Sequence, residues 1–137
     1  MASLFPEGES RSKSAVRLLV AVAMTAVGVA HFIDPAPFEK IVPPWLPAPH
    51  ALVLVSGLAE ILGGVGLMIA PVRVAAAWGL VALYVAVFPA NIYMALNDVQ
   101  PFPTHVSPLA QWARLPFQAV FIAVAVWLAR QSSARRR

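Results

Sequence analysis

The sequence predicts an all-α fold: an integral membrane four-helix bundle with both termini in the cytoplasm. Three observations predict it. The chain is 60% hydrophobic and only 12% charged, whereas a water-soluble domain is nearer half apolar and a quarter charged. Four apolar runs, at 15–33, 51–70, 74–96 and 108–130, come close to or exceed the ~20 residues that cover a ~30 Å hydrocarbon layer. Lysine and arginine are also divided unevenly between the two sides that these runs define.

In domain terms, 1–14 reads as a loose polar cytoplasmic tail, 15–130 as one membrane domain and 131–137 as a basic cytoplasmic tail. The first run is interrupted only by Arg17, which can snorkel from the inner end. Its basic start followed by Val27-Gly28-Val29-Ala30 has the look of a signal peptide. The run continues through His31-Phe32-Ile33, however, and three more spans follow, so a first transmembrane helix is the better reading.

A proline-rich connection comes next. Asp34-Pro35 reads as an N-cap with proline at the first helical position, which opens a short surface helix over 36–42 in the first outer loop. Pro43-Pro44-Trp45-Leu46-Pro47 ends it, with Trp45 suited to the membrane interface. Only Pro71-Val72-Arg73 separates the second run from the third, so those helices form a tight antiparallel hairpin. The third run carries Tyr84, Pro89, Asn91 and Tyr93, and Pro89 predicts a kink over 85–89. Ser107-Pro108 repeats the cap-then-proline signal and opens the last helix, with Pro116 inside it.

Orientation follows from the basic residues. Arg11, Lys13, Arg17, Arg73, Arg130, Arg135, Arg136 and Arg137 fall on one side, and only Lys40 and Arg114 on the other. The positive-inside rule places the first side in the cytoplasm and the two proline-rich loops outside.

The polar residues within the runs are the functional candidates. Glu60 lies midway along the second run, ~15 Å below the outer face. An isolated carboxylate there costs a few kcal/mol even on insertion scales, so Glu60 faces other helices. Ser56, Gly57, Gly63 and Gly64 share its face, a small-residue stripe that lets a neighbouring backbone come close. Arg114 lies ~9 Å and Asn91 ~7–8 Å below the outer face, with Gln118 one turn deeper than Arg114 on the same helix face. His31 sits near the outer end of the first helix. An arginine side chain is long enough to reach Glu60, so Arg114 is expected to shelter it. The candidate ligand-binding or proton-handling residues are thus Glu60, Arg114, His31, Asn91 and Gln118. Each has a bland alternative: Glu60 with Arg114 as an ion pair fixing register, His31 bonding the Asp34 turn, and Asn91 satisfying the carbonyl freed by Pro89. Tyr84, Trp78, Phe88, Phe117 and Phe121 read as packing or lipid-facing residues.

Other chemistries are set aside. There is no cysteine, which removes thiol, disulfide and thiolate-metal chemistry. His50 and His105 lie in loops without ligand spacing, so no metal or haem site is expected. The net charge of +4 sits largely at the ends, which suits topology and lipid contact rather than nucleic acid.

Five segments resemble one family: Gly28-Val29-Ala30-His31-Phe32; Ile41-Val42-Pro43-Pro44-Trp45-Leu46-Pro47; Ser56-Gly57 with Glu60; Phe88-Pro89-Ala90-Asn91-Ile92-Tyr93; and Arg114-Leu115-Pro116-Phe117-Gln118. Together they look like the small DoxX-like membrane proteins, over about 16–128. The resemblance implies a four-helix membrane bundle in a bacterial-type inner membrane. It also implies association with redox systems, since the family name comes from a subunit associated with thiosulfate:quinone oxidoreductase. The absence of cysteine argues against carrying thiosulfate chemistry over. The expectation is an accessory component of a membrane redox system, binding a quinone-like or small polar ligand and working with a partner subunit or a second copy. The alternatives are a proton-coupled small-solute transporter, with Glu60 as the coupling carboxylate, and a structural or partner-binding membrane protein.

Overall fold

The computed structural model describes residues 8–130. Residues 1–7 of the tail read at 1–14, and the whole tail read at 131–137 with Arg135, Arg136 and Arg137, lie outside the described residues. Five helices follow one another: α1 (Arg11–Ile33), α2 (Ala36–Glu39), α3 (Pro49–Met68), α4 (Arg73–Leu96) and α5 (Pro108–Ala129). All but α2 are long and apolar enough to cross a membrane, and the protein is a multi-pass helical membrane bundle. Leu19, Leu62, Val85 and Phe117 are among the large apolar side chains left exposed, forming the surface that lipid covers.

Packing follows chain order. α1 lies on α3, α3 on α4 and α4 on α5, with α2 resting on α3. The close approaches are made by glycines of α3. A Cβ at Gly57 would stand 2.6 Å from the Cβ of His31, and one at Gly64 would stand 2.7 Å from the Ala21 carbonyl, so these two face α1. Gly63 and Gly66 abut Leu80 and Ala76 of α4. The small-residue stripe therefore serves two partners, as expected where van der Waals contact drives association.

The buried apolar core gathers Ala21, Leu67, Ala77, Leu80, Tyr84, Ala125, Leu128 and Ala129. Most of these lie in the half of the bundle that carries the chain ends and the α3–α4 turn. The other half, beside the two long loops, holds the cavity described below.

The helix starts differ from expectation in three places, each for a local reason. α1 begins inside the region read as a loose tail, because Ser10 caps it, accepting from the Lys13 amide at 3.3 Å. Arg17 does not snorkel. It is buried and binds both carboxylate oxygens of Glu9, which also accepts from Ser14 at 3.0 Å. Asp34 does not cap α2; it ends α1, its amide donating to the Ala30 carbonyl at 3.0 Å. α2 is correspondingly short, with Pro35 at its N-cap and no side-chain cap. α3 starts at Pro49 rather than 51, which brings His50 into its first turn, where Nδ1 meets Glu39 Oε1 at 2.6 Å. The Ser107 cap of α5 forms as read, accepting from the Ala110 amide at 3.3 Å.

Candidate functional site

A cavity of about 450 Å³ opens between the loop-side halves of the long helices. Its wall is mostly apolar, supplied by residues such as Val27, Val53, Leu83 and Val87, and by Phe38, Ile41 and Phe102 from the two loops. A few polar side chains interrupt that wall: His31 from α1, Ser56 and Glu60 from α3, Asn91 from α4 and Arg114 from α5. A largely apolar chamber with a few placed polar groups is the general form of a small-molecule site. Four of the five candidate residues thus share one cavity.

Two glycines bring His31 and Glu60 together. Gly28 lies one turn before His31, and Gly57 one turn before Glu60. A Cβ on Gly28 would sit 3.0 Å from the Cβ of Glu60, and one on Gly57 would sit 2.6 Å from that of His31. Each polar side chain therefore rests over the glycine of the other helix. His31 Nδ1 lies 3.2 Å from Glu60 Oε2 and 2.8 Å from the Val27 carbonyl oxygen. The imidazole stacks on Phe38, with ring centroids 3.8 Å apart and planes 21° apart. His31 is buried and Glu60 nearly so. Glu60 Oε2 has no hydrogen-bond partner among the described residues.

This arrangement corrects the expected Glu60–Arg114 pair. Among the described residues the close contacts between acidic and basic side chains are Glu9–Arg17, His31–Glu60 and Glu39–His50. Arg114 is exposed, with Nη1 3.7 Å from Met94 Sδ. The reason is topological: α5 packs on α4, whereas the Glu60 face of α3 is taken by α1. His31 is likewise not a partner of the Asp34 turn; its ring nitrogen reaches back to Val27 instead.

Gln118 supports the wall without lining it. It is buried, donates from Nε2 to the Tyr84 carbonyl at 2.6 Å, and accepts on Oε1 from Asn91 Nδ2. The carbonyl that Pro89 leaves without its helical donor is that of Val85; among the described residues Asn91 donates to Gln118 instead of to it, and Gln118 bonds the neighbouring Tyr84 carbonyl.

Phe38, Phe102 and Ser56 belong to the cavity without having been singled out as site residues. Phe38 and Phe102 meet edge to face at 6.1 Å. An aromatic residue inside a proline-rich loop was the one signal they offered. Tyr84 is buried, its hydroxyl donating to Met24 Sδ at 3.1 Å. Ala77, Leu80 and Tyr84 recur at helical spacing, a pattern that reads as a packed face.

Residues 20–129 match the family described as Domain of unknown function (DUF8561). The chain belongs to that family. The match begins within α1, takes in α3, α4 and α5 whole, and covers every residue of the candidate site. No curated protein and no solved structure matches the chain. Membership of the DUF8561 family therefore attaches no activity to the cavity, and its chemistry is argued from its walls.

Proposed function

We propose that this DUF8561 member is a DoxX-like inner-membrane protein whose cavity binds a quinone-like or small polar ligand, as an accessory component of a membrane redox system. One observation carries the reading. All four long helices send a polar or charged side chain (His31, Glu60, Asn91, Arg114) to a single chamber that is otherwise apolar. A flat, lipid-soluble ring with oxygen substituents suits such walls: the ring lies against Phe38, Val53 and Val87, while its oxygens meet the polar groups. On the orientation given by the basic residues, the chamber faces outward and both termini face the cytoplasm. The redox partner would be a further subunit or a second copy.

Purification in mild detergent followed by extraction tests this. The expected result is a lipophilic quinone-type compound, oxidised or reduced, retained in stoichiometric amount, and an absorbance change when quinone is added. Protein that retains none and shows no quinone-dependent change removes the reading. A proton-coupled carrier is the second reading, favoured by a Glu60 that Arg114 does not neutralise. The packed core in the other half of the bundle weighs against passage. Proton release on adding solute to detergent-purified protein would bring that reading to the front.

A further inference from the structure

Two hydrogens on the α1 and α3 walls, those of His31 Nδ1 and the Ser56 hydroxyl, are spent inside the protein. His31 Nδ1 lies 2.8 Å from the Val27 carbonyl oxygen. A carbonyl oxygen only accepts, so Nδ1 carries a hydrogen and donates it. A neutral imidazole is thereby held in one tautomer, with a lone pair on Nε2. That nitrogen has no partner among the described residues and is not one of their sealed polar atoms, so it opens on the cavity that His31 lines. The hydroxyl of Ser56 donates to the Val53 carbonyl at 2.9 Å, leaving its oxygen as an acceptor. Glu60 Oε2 is sealed beside His31. His31 and Ser56, from two helices, thus offer acceptors to the chamber. Donors come from the Arg114 guanidinium and from the Asn91 amide, which gives only one of its hydrogens to Gln118.

We propose that the cavity selects a ligand bearing hydroxyl donors. Resting on the reading above, this means that the reduced dihydroxy form of a quinone-like molecule binds in preference to the oxidised dione. A dione brings only acceptors. Against His31 Nε2 and Ser56 Oγ a dione oxygen finds no hydrogen, and the polar groups on both sides go unpaired. A hydroquinone donates one hydroxyl to the His31–Glu60 wall and accepts from Arg114 with the other. Sites built to bond a hydroxyl discriminate strongly against analogues that lack it.

The test is equilibrium binding to the wild-type protein in lipid nanodiscs, without oxygen, of three probes sharing a decyl tail. These are a benzoquinone, its hydroquinone, and the dimethyl ether of that hydroquinone. The ether keeps ring and tail but has no donor. The hydroquinone is expected to bind about tenfold or more tighter than either of the others. Equal binding of the three, or tighter binding of the quinone, overturns the donor selection while leaving the redox-ligand reading in place. Ether binding as tight as that of the hydroquinone also overturns it. No binding of any probe removes both.

Discussion

His31 and Glu60 face each other across the α1–α3 contact, Nδ1 to Oε2 at 3.2 Å, each one turn beyond the glycine that makes room for the other. A glycine followed one turn later by a polar residue occurs in both helices. The antiparallel crossing makes the two patterns reciprocal, so neither side chain is placed by its own helix alone.

Coupling energies should follow this geometry. In a double-mutant cycle on unfolding in detergent, His31→Ala with Glu60→Gln is expected to show a coupling of about 1 kcal/mol or more. Glu60→Gln with Arg114→Gln is expected to be additive within about 0.5 kcal/mol. For the same reason, the charge swap Glu60→Arg with Arg114→Glu should fail to restore the fold. A rescued swap would mean that the two charges meet.

The glycines should separate by what a methyl group would strike. Gly57→Ala drives a Cβ into His31 and toward the Gly28 carbonyl, both held by the backbone crossing. It should cost about 1–3 kcal/mol as overpacking. Gly79 has nothing within 4 Å of an added Cβ, so Gly79→Ala should be neutral or gain up to about 1 kcal/mol from helix propensity. Thermal unfolding in one detergent reads both, and a Gly57→Ala melt equal to wild type would contradict the close crossing.

Glu9 gives the fold an acid limit. Burial pushes its carboxyl up, but hydrogen bonds from Arg17 and Ser14 and the charges of Arg17 and Lys13 outweigh that and hold it below its ordinary 4.5. A depressed folded value means that the ionised form stabilises the native state. The contribution is complete above about pH 4.5 and is lost as pH falls through the lower folded value. Melting temperature should therefore fall on acidification below that point, and Glu9→Gln should flatten this part of the profile. An unchanged slope in that variant would assign the acid limit elsewhere.

Filling the chamber should abolish binding without unfolding the bundle. Ala90 lines the cavity on α4 and is only half-buried. Ala90→Phe should weaken ligand binding more than tenfold while the circular dichroism melt stays close to that of wild type. Binding that survives the substitution would place the ligand outside the cavity.

Hydrophobic content and the four apolar runs were enough to determine a multi-pass all-α bundle, because lipid leaves a chain of this composition few other ways to satisfy its backbone. The same residues told which side chains are polar at membrane depth, since a buried carboxylate must face protein. Sequence also marked the Ser107 cap and the small-residue face of α3. What it left open was which helix each face meets. Depth along a helix is one coordinate, rise per residue, and places Glu60 within reach of either His31 or Arg114. The choice depends on the angular position of neighbours, which glycine-mediated contact sets: Gly28 and Gly57 lock α1 against α3, and α5 is left to pack on α4. Only the tertiary structure decided that the acid is partnered by a histidine. Only it showed Arg17 buried against Glu9, because that pairing joins a residue before α1 to one inside it and leaves no periodic trace.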